Sequence, residues 1–191
     1  MKGTPYKWLD LERYFSLLRP FDDILQIRYF TAQITGPTRP NQDIFLAALA
    51  TLPRVEIILG RFKLKQIKCR YAACTGAPGD RFFQQEEEKR TDVNIAIHML
   101  DDAYRNRCDQ FILVSGDSDL VPIVRMIRDR LPSKRIFVYV PAQSPQRASA
   151  VELRTAAHKA KTLPQNLLAM AQFPSTIPDG SGGTIRKPAT W

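Results

Sequence analysis

Strands and helices alternate along this chain, and the class they predict is α/β with a mainly parallel sheet. Two apolar runs carry most of that reading. Phe111 to Val114 and Arg135 to Val140 show no polar alternation over their apolar residues, the pattern of strands covered on both faces. Periodicity alone also allows a buried helical segment for Phe111 to Val114, but its short length and its end at Ser115 and Gly116 favour the strand. The third observation is the acidic loop after that run: Asp117 and Asp119 flank one serine, and an amphipathic helical pattern begins at Leu120. In an open α/β sheet the ligand crevice lies off the carboxyl ends of the strands, where these two carboxylates would sit.

Taken in order, Leu9, Leu11, Tyr14, Phe15 and Leu18 fall near helical spacing, which predicts a helix from Trp8 to Leu18 stopped by Pro20. Gln26 to Ala32, rich in β-formers, reads as a strand. Turn residues from Gly36 to Asn41 lead into a helix over Gln42 to Leu52, closed by Pro53, and Val55 to Gly60 is the next strand. Phe62 to Tyr71 is basic and roughly alternating, as in a hairpin arm or edge strand. Ala72 to Glu86 reads as a mobile loop. Asp92 to Arg105 is a mostly apolar helix with one polar stripe, Asn94, His98, Asp101 and Arg105, and so packs against the sheet. Leu120 to Arg130 is a helix that tolerates Pro122 in its first turn. After the strand at Arg135 to Val140 come an Ala-rich helix, Ala148 to Lys161, and a short helical stretch, Gln165 to Ala171. The domain expected is residues 1–161, with 162–191 a partly irregular C-terminal extension.

The 191 residues suit one domain of ordinary core size. At 44% hydrophobic and 25% charged the composition is neither disordered nor membranous. No apolar run approaches the roughly 18 residues of a spanning helix and the N-terminus has no signal-peptide core, so the expectation is a cytoplasmic protein with no membrane contact. Cys69, Cys74 and Cys108 lack metal-site spacing and read as free thiols. Lysine and arginine outnumber acids 28 to 19. That balance suits a polyanionic partner but does not by itself identify one.

Asp92 opens one buried helix and Asp117 and Asp119 come after a buried strand. If those elements are neighbours, three carboxylates converge, and such crowding favours a proton or a counter-ion. Magnesium prefers hard oxygen ligands and is held by a few carboxylates together with substrate phosphates. It can activate a water for in-line attack, which makes metal-assisted phosphodiester hydrolysis the chemical hypothesis. Plainer roles fit the same residues. Asp92 and Asp119 are each suited to cap a helix, Ser115 and Ser118 to a turn, His98 to packing, and Glu86 to Glu88 to a solvated charge run with Glu88 nearest Asp92. Arg61, Lys63, Lys65, Lys68 and Arg70, interleaved with Phe62 and Tyr71, suit phosphate contact and base stacking or simply a solvated edge. Arg125 and Arg128 suit substrate or water.

Glu87 to Leu100, containing Lys89-Arg90-Thr91-Asp92-Val93-Asn94, together with Phe111 to Arg125, containing Ser115-Gly116-Asp117-Ser118-Asp119, resembles the NYN domain family, relatives of PIN-domain nucleases that include LabA-like bacterial proteins. The likeness extends from about Thr4 to the C-terminus, including Leu52 to Ile58 and Lys187 to Trp191. It implies a PIN-like three-layer α/β/α sandwich and a ribonuclease, dependent on Mg2+ or Mn2+, that cleaves phosphodiesters through metal-activated water. Asp92, Asp117 and Asp119 match the family's later acidic positions and take the catalytic and metal-binding roles. RNA, single-stranded or structured, is the partner implied, with Ser115, Ser118, Arg61, Lys63, Lys65 and Arg125 as candidate contacts. A homo-oligomer is compatible with this reading.

The chain departs from the family pattern in two places. Family members open with an apolar strand ending in an Asp, whereas here Met1 is succeeded at once by Lys2, Gly3, Thr4, Pro5 and the first helix, with Asp10 inside it. The expectation is an N-terminally incomplete domain without its first central strand and without that ligand. His158 stands where many relatives have an acid. A non-catalytic RNA- or protein-binding module of the same fold is the alternative, and a small-molecule phosphohydrolase ranks below it because no covalent Asp nucleophile motif is present.

Overall fold

A computed structural model of the chain describes residues 5–37, 39–69, 81–141 and 148–189. Helix α1 (Leu11–Leu18) is capped by Asp10, whose carboxylate accepts from Arg13 N at 2.9 Å. Strand β1 (Ile27–Thr31) leads through α2 (Arg39–Ala50) to β2 (Val55–Leu59), and the two strands pair in parallel with Ile27 opposite Val55. An antiparallel hairpin succeeds them, β3 (Arg61–Lys68) against β4 (Phe82–Lys89). Next come α3 (Thr91–Tyr104), β5 (Gln110–Val114), a 3-10 turn (Ser118–Leu120), α4 (Val121–Arg130), β6 (Arg135–Val140), α5 (Ala148–Ala156) and β7 (Lys159–Thr162). Strands β5, β6 and β7 form a parallel sheet in that order. The chain closes with α6 (Asn166–Met170) and a small antiparallel pair, β8 (Thr176–Pro178) and β9 (Thr184–Arg186).

The mixed α/β class with parallel sheets is as expected, and residue alternation shows how the layers arise. On β6, Ile136, Val138 and Val140 point into a core shared with α3, α4 and α5. Phe137 and Tyr139 point the other way, toward the end of α1, where the Arg19 guanidinium lies 4.8 Å from the Phe137 ring. On β1, Tyr29 packs with α2 in a second core around Trp8, Phe45 and Leu49. Phe30, its neighbour on the opposite face, meets His98 of α3. Helix α1 and α6 bury Leu9, Tyr14, Leu168 and Ala171 between them, so residues after Leu163 are packed rather than trailing.

Both β1 and β5 are edges of their sheets, and among the described residues no strand joins them. Helix α3 spans the two. Its Met99 and Ala103 pack with Phe111 and Leu113 of β5, while its Asp102 pairs with Arg28 of β1. Asp102 is 8% exposed and is also held by Arg107 at 2.9 Å; Arg28 is shared with Glu56 at 2.9 Å.

Several boundaries differ from the sequence reading for identifiable reasons. Asp10 is the cap of α1 and not part of it, because its side chain satisfies a first-turn amide. Helix α2 begins earlier, at Arg39, with Pro40 accommodated in its first turn, where a missing N–H costs little. The Ala-rich helix stops at Ala156: the His158 amide donates to Ile136 O and the chain continues as β7. Residues Phe82 to Glu86 are strand rather than loop, since each is paired with β3; of the rest of that expected loop, Arg81 is described and 72–80 lie outside the described residues. Cys69 and Cys108 are free thiols, and Cys74 lies outside the described residues. No helix among the described residues is long and apolar enough to cross a membrane.

Asp102→Ala leaves the mostly enclosed Arg28 guanidinium with Glu56 as its remaining ion-pair partner and breaks the pair with Arg107 as well; the cost expected is about 3 kcal/mol, the low end for breaking such a pair, read from the urea midpoint. A second stability prediction concerns pH. His158 Nδ1 accepts from Ile136 N at 3.1 Å, a role open only to the neutral ring. Burial first, then Arg128 and Arg135, holds its pKa below the ordinary imidazole value. The unfolded chain therefore binds this proton at higher pH than the folded one, so the contribution is present above the ordinary pKa and is lost as pH falls through the folded one. Urea midpoints taken between about pH 7.5 and 5 should fall more steeply for the native chain than for His158→Asn.

Candidate metal centre

The amino end of α3 and the carboxyl end of β5 bring the acids together. Helix α3 is preceded by Arg90 in the left-handed region, φ 77°, with no side-chain cap. Asp92 is thus the second residue of the helix and not its cap, which leaves its carboxylate available while the amino-end dipole favours negative charge there. Gly60, at the root of the hairpin, lies against this turn: a Cβ on it would stand 2.7 Å from Thr91 Oγ1 and 2.8 Å from Lys89 O. The Thr91 hydroxyl donates to Glu88 Oε1 at 2.5 Å.

After β5 the loop is set by two short-range bonds. The Asp117 amide donates to Ser115 Oγ at 3.1 Å, and the Asp119 amide donates to Asp117 Oδ1 at 3.0 Å. Asp117, not Asp119, is therefore the capping residue, and it caps the 3-10 turn that precedes α4. Leu120, fully buried, anchors the far end of the loop in the core.

One carboxylate oxygen from each of Asp92, Asp117 and Asp119 can be chosen so that all lie within 4.8 Å of one another. All three side chains are exposed. Asp92 nevertheless has its pKa raised, by partial burial first and then by the charges of Asp117, Asp119 and Glu88. Three hard oxygen donors under mutual repulsion fit a hard divalent cation, which would relieve that crowding. Asp92, Asp117 and Asp119 would hold it.

The other sequence candidates separate in space. Ser115 is occupied with the loop backbone and Ser118 opens the 3-10 turn. Arg61, Lys63 and Lys65 lie on β3, whose root at Gly60 meets the first turn of α3. Arg125 lies 3.7 Å from Glu152 on the outer surface of α4 and α5. Arg128 is structural, donating to the carbonyls of Ala156 and Ala157 at the end of α5. His98 packs on Phe30 with ring centres 5.8 Å apart. His158 serves the backbone of β6 and takes no part in the acidic cluster. Glu88, the member of its run nearest Asp92 in the sequence, and Thr91, which carries no sequence signal, frame the site, and the face Glu88 takes is set only by the hairpin register.

Carboxylates gathered at the carboxyl end of a parallel strand, under the amino end of a neighbouring helix, define a class of α/β protein with a cation-competent sheet edge. Within that class, this chain belongs to the NYN domain family, whose model matches residues 3–163. It is also 32% identical to the 6-hydroxy-3-succinoylpyridine 3-monooxygenase HspA of Pseudomonas putida (strain DSM 28022 / S16), over 222 aligned positions that cover all of this chain and 70% of that protein. No solved structure matches it.

Because the three acids repel one another, Asp117→Asn should raise the metal-free melting temperature; asparagine also keeps the cap on the 3-10 turn. The native chain should gain melting temperature in Mn2+, corresponding to about 2.7 kcal/mol at about 100 times Kd, and the same change should abolish that gain. Thermal melts with EDTA and with Mn2+ check both halves.

Proposed function

We propose that the protein is a metal-dependent ribonuclease that hydrolyses RNA phosphodiester bonds at the cluster of Asp92, Asp117 and Asp119. The observation that carries this reading is the convergence of the three carboxylates on one exposed point of a nuclease-like NYN fold. A bound Mg2+ or Mn2+ would supply polarisation of the attacking water and neutralisation of charge on the phosphate. The protein's own part is positional. Asp117 and Asp119 offer oxygens from a loop clamped by the Ser115 and Asp117 bonds, and Asp92 offers one from a rigid first helical turn. The exposure of the site admits a polymer, whereas a small substrate would be better served by an enclosed pocket. In the reaction the water oxygen forms a bond to phosphorus and gives up one proton to solvent, one P–O ester bond breaks, and the leaving oxygen takes a proton from solvent.

A second reading comes from the HspA likeness, since that protein is named for oxygenation of a hydroxypyridine. Here the donor set argues for hydrolysis. The cluster holds three carboxylates and no imidazole, which is a set for Mg2+ or Mn2+ rather than the two-histidine, one-carboxylate set of ferrous oxygenases.

The test is cleavage of end-labelled single-stranded RNA by the whole chain with Mn2+ or Mg2+, with EDTA, and with Asp117→Asn. Cleavage lost in EDTA and reduced at least about 10²-fold by the substitution is the expected result, since loss of a direct metal ligand should cost at least as much as loss of a group that only supports one. RNA binding that survives EDTA with no cleavage in any metal would favour the non-catalytic module. Turnover of a hydroxypyridine with consumption of oxygen would favour the second reading.

A further inference from the structure

Hairpin β3–β4 sorts its charges by face. The register places Arg61 opposite Lys89, Lys63 opposite Glu87, Lys65 opposite Gln85 and Ile67 opposite Phe83, and these directly opposed residues share one face. That face carries four cations and one acid. The other carries Phe62, Leu64, Phe82, two glutamines, Glu86, Glu88 and a single cation, Lys68, with Leu64 and Phe82 exposed. Phe62 therefore does not share the face of the cations as the sequence order implied; Phe83 does, at the end of their row and 51% exposed, and Tyr71 lies outside the described residues.

The acids of the second face, though exposed, are each bonded to a hydroxyl on the body of the domain. Glu86 accepts from the Thr35 hydroxyl and Glu88 from Thr91. The cationic face is thus the one directed away from those contacts. Glu87, its one acid, bridges Lys89 at 2.7 Å and Lys65 at 3.9 Å, and those lysines hold its pKa below the usual carboxylate value. A solvated edge strand needs charge but no segregation of charge, and it has no use for an exposed phenylalanine at the end of a cationic row.

We propose that this face is the docking surface for the backbone of single-stranded RNA, a proposal that rests on the ribonuclease reading. Residues of one face recur every 6.6–6.8 Å or so along a strand, so Arg61, Lys63 and Lys65 with Ile67 and Phe83 make a row about 20 Å long. Cations along such a row neutralise successive phosphates, and the phenylalanine stacks an unpaired base, which a duplex conceals. The row ends at Lys89, three residues from Asp92 and so at most about 11 Å from it along the chain. The strand held on the hairpin turns past this root to reach the acids. Substrate preference then comes from contacts remote from the scissile bond, and length of RNA matters more than its sequence.

The test uses the whole chain and labelled oligouridine, a trinucleotide and one of about 12 nucleotides, within the usual size of single-strand sites. Binding is read by anisotropy in EDTA, over a series of salt concentrations. The variants are Lys63→Gln with Lys65→Gln, and a control of equal charge loss elsewhere, Arg130→Gln with Lys161→Gln. The expected result is a loss of about 10-fold or more in affinity for the longer RNA in the hairpin variant only. The salt slope should fall by about 1.4, two phosphate contacts at about 0.7 each on a single strand. Phe83→Ala should lower affinity without changing that slope. Equal losses in the hairpin variant and the control, or equal affinity for duplex and single-stranded RNA, or displacement by polyglutamate at matched charge, overturns the proposal. Failure of the ribonuclease reading shows separately: the hairpin variant loses binding as stated while no metal supports cleavage. If cleavage is metal-dependent but the hairpin variant binds normally, the enzyme reading stands and the docking surface does not.

Discussion

Helix α3 is the member on which the rest depends, because it joins two sheets that share no hydrogen bonds among the described residues. Met99 and Ala103 attach it to β5 by apolar packing, and Asp102 attaches it to β1 through Arg28. The two attachments differ in kind. Apolar burial is non-directional, while the guanidinium pair fixes the rotation of the helix about its axis. That rotation decides where Asp92 points. A helix held only by its apolar side could turn a few tens of degrees at small cost, and the third carboxylate would leave the point that Asp117 and Asp119 share. The mostly enclosed ion network is thus a positional device, on the same helix as the acid it aims.

The site itself opposes the stability that this network supplies. Three exposed carboxylates within a few ångströms repel, and their charges add to partial burial in raising the pKa of Asp92. Local structure prevents the loop from relaxing away from it. Asp117 is committed to the 3-10 turn, Leu120 is fixed in the core, and Gly60 lets the hairpin root press against the first turn of α3 where any side chain would collide. Held repulsion of this kind is what a cation site requires, since the energy is recovered when the ion arrives.

Much of this was legible in the residues because the local rules agreed. Unbroken apolar runs located β5 and β6, Pro20 and Pro53 stood just beyond their helices, and the spacing of Asp117 and Asp119 after a small turn put them at a sheet edge. What could not be read was set by partners distant in the chain. The end of α5 depends on a bond from His158 to β6, and nothing in an alanine-rich run announces it. Glu86 to Glu88 looked like a solvated cluster because alternation is invisible in three identical residues; only pairing with Lys63 and Leu64 divides them between faces. Lys134, 3% exposed and donating to Cys108 O at 2.7 Å, could not be recognised as a buried lysine, since its acceptors come from the loop before β5.

The likeness to a protein named as a monooxygenase makes the distinction between fold and site concrete. A shared backbone can carry unrelated chemistries, so an identity of 32% over the whole chain speaks for the scaffold and leaves the reaction to the side chains at the sheet edge. Those side chains are all hard oxygen donors. The imidazoles that could soften the set are committed elsewhere, His98 against Phe30 and His158 to the backbone of β6. Oxygen activation also requires a reductant and a sheltered substrate, and the three acids stand open to solvent. An open, cation-competent edge beside a long cationic hairpin face suits a charged polymer that extends beyond the reacting bond, and the hydrolysis proposed there would draw only on water and a bound divalent cation.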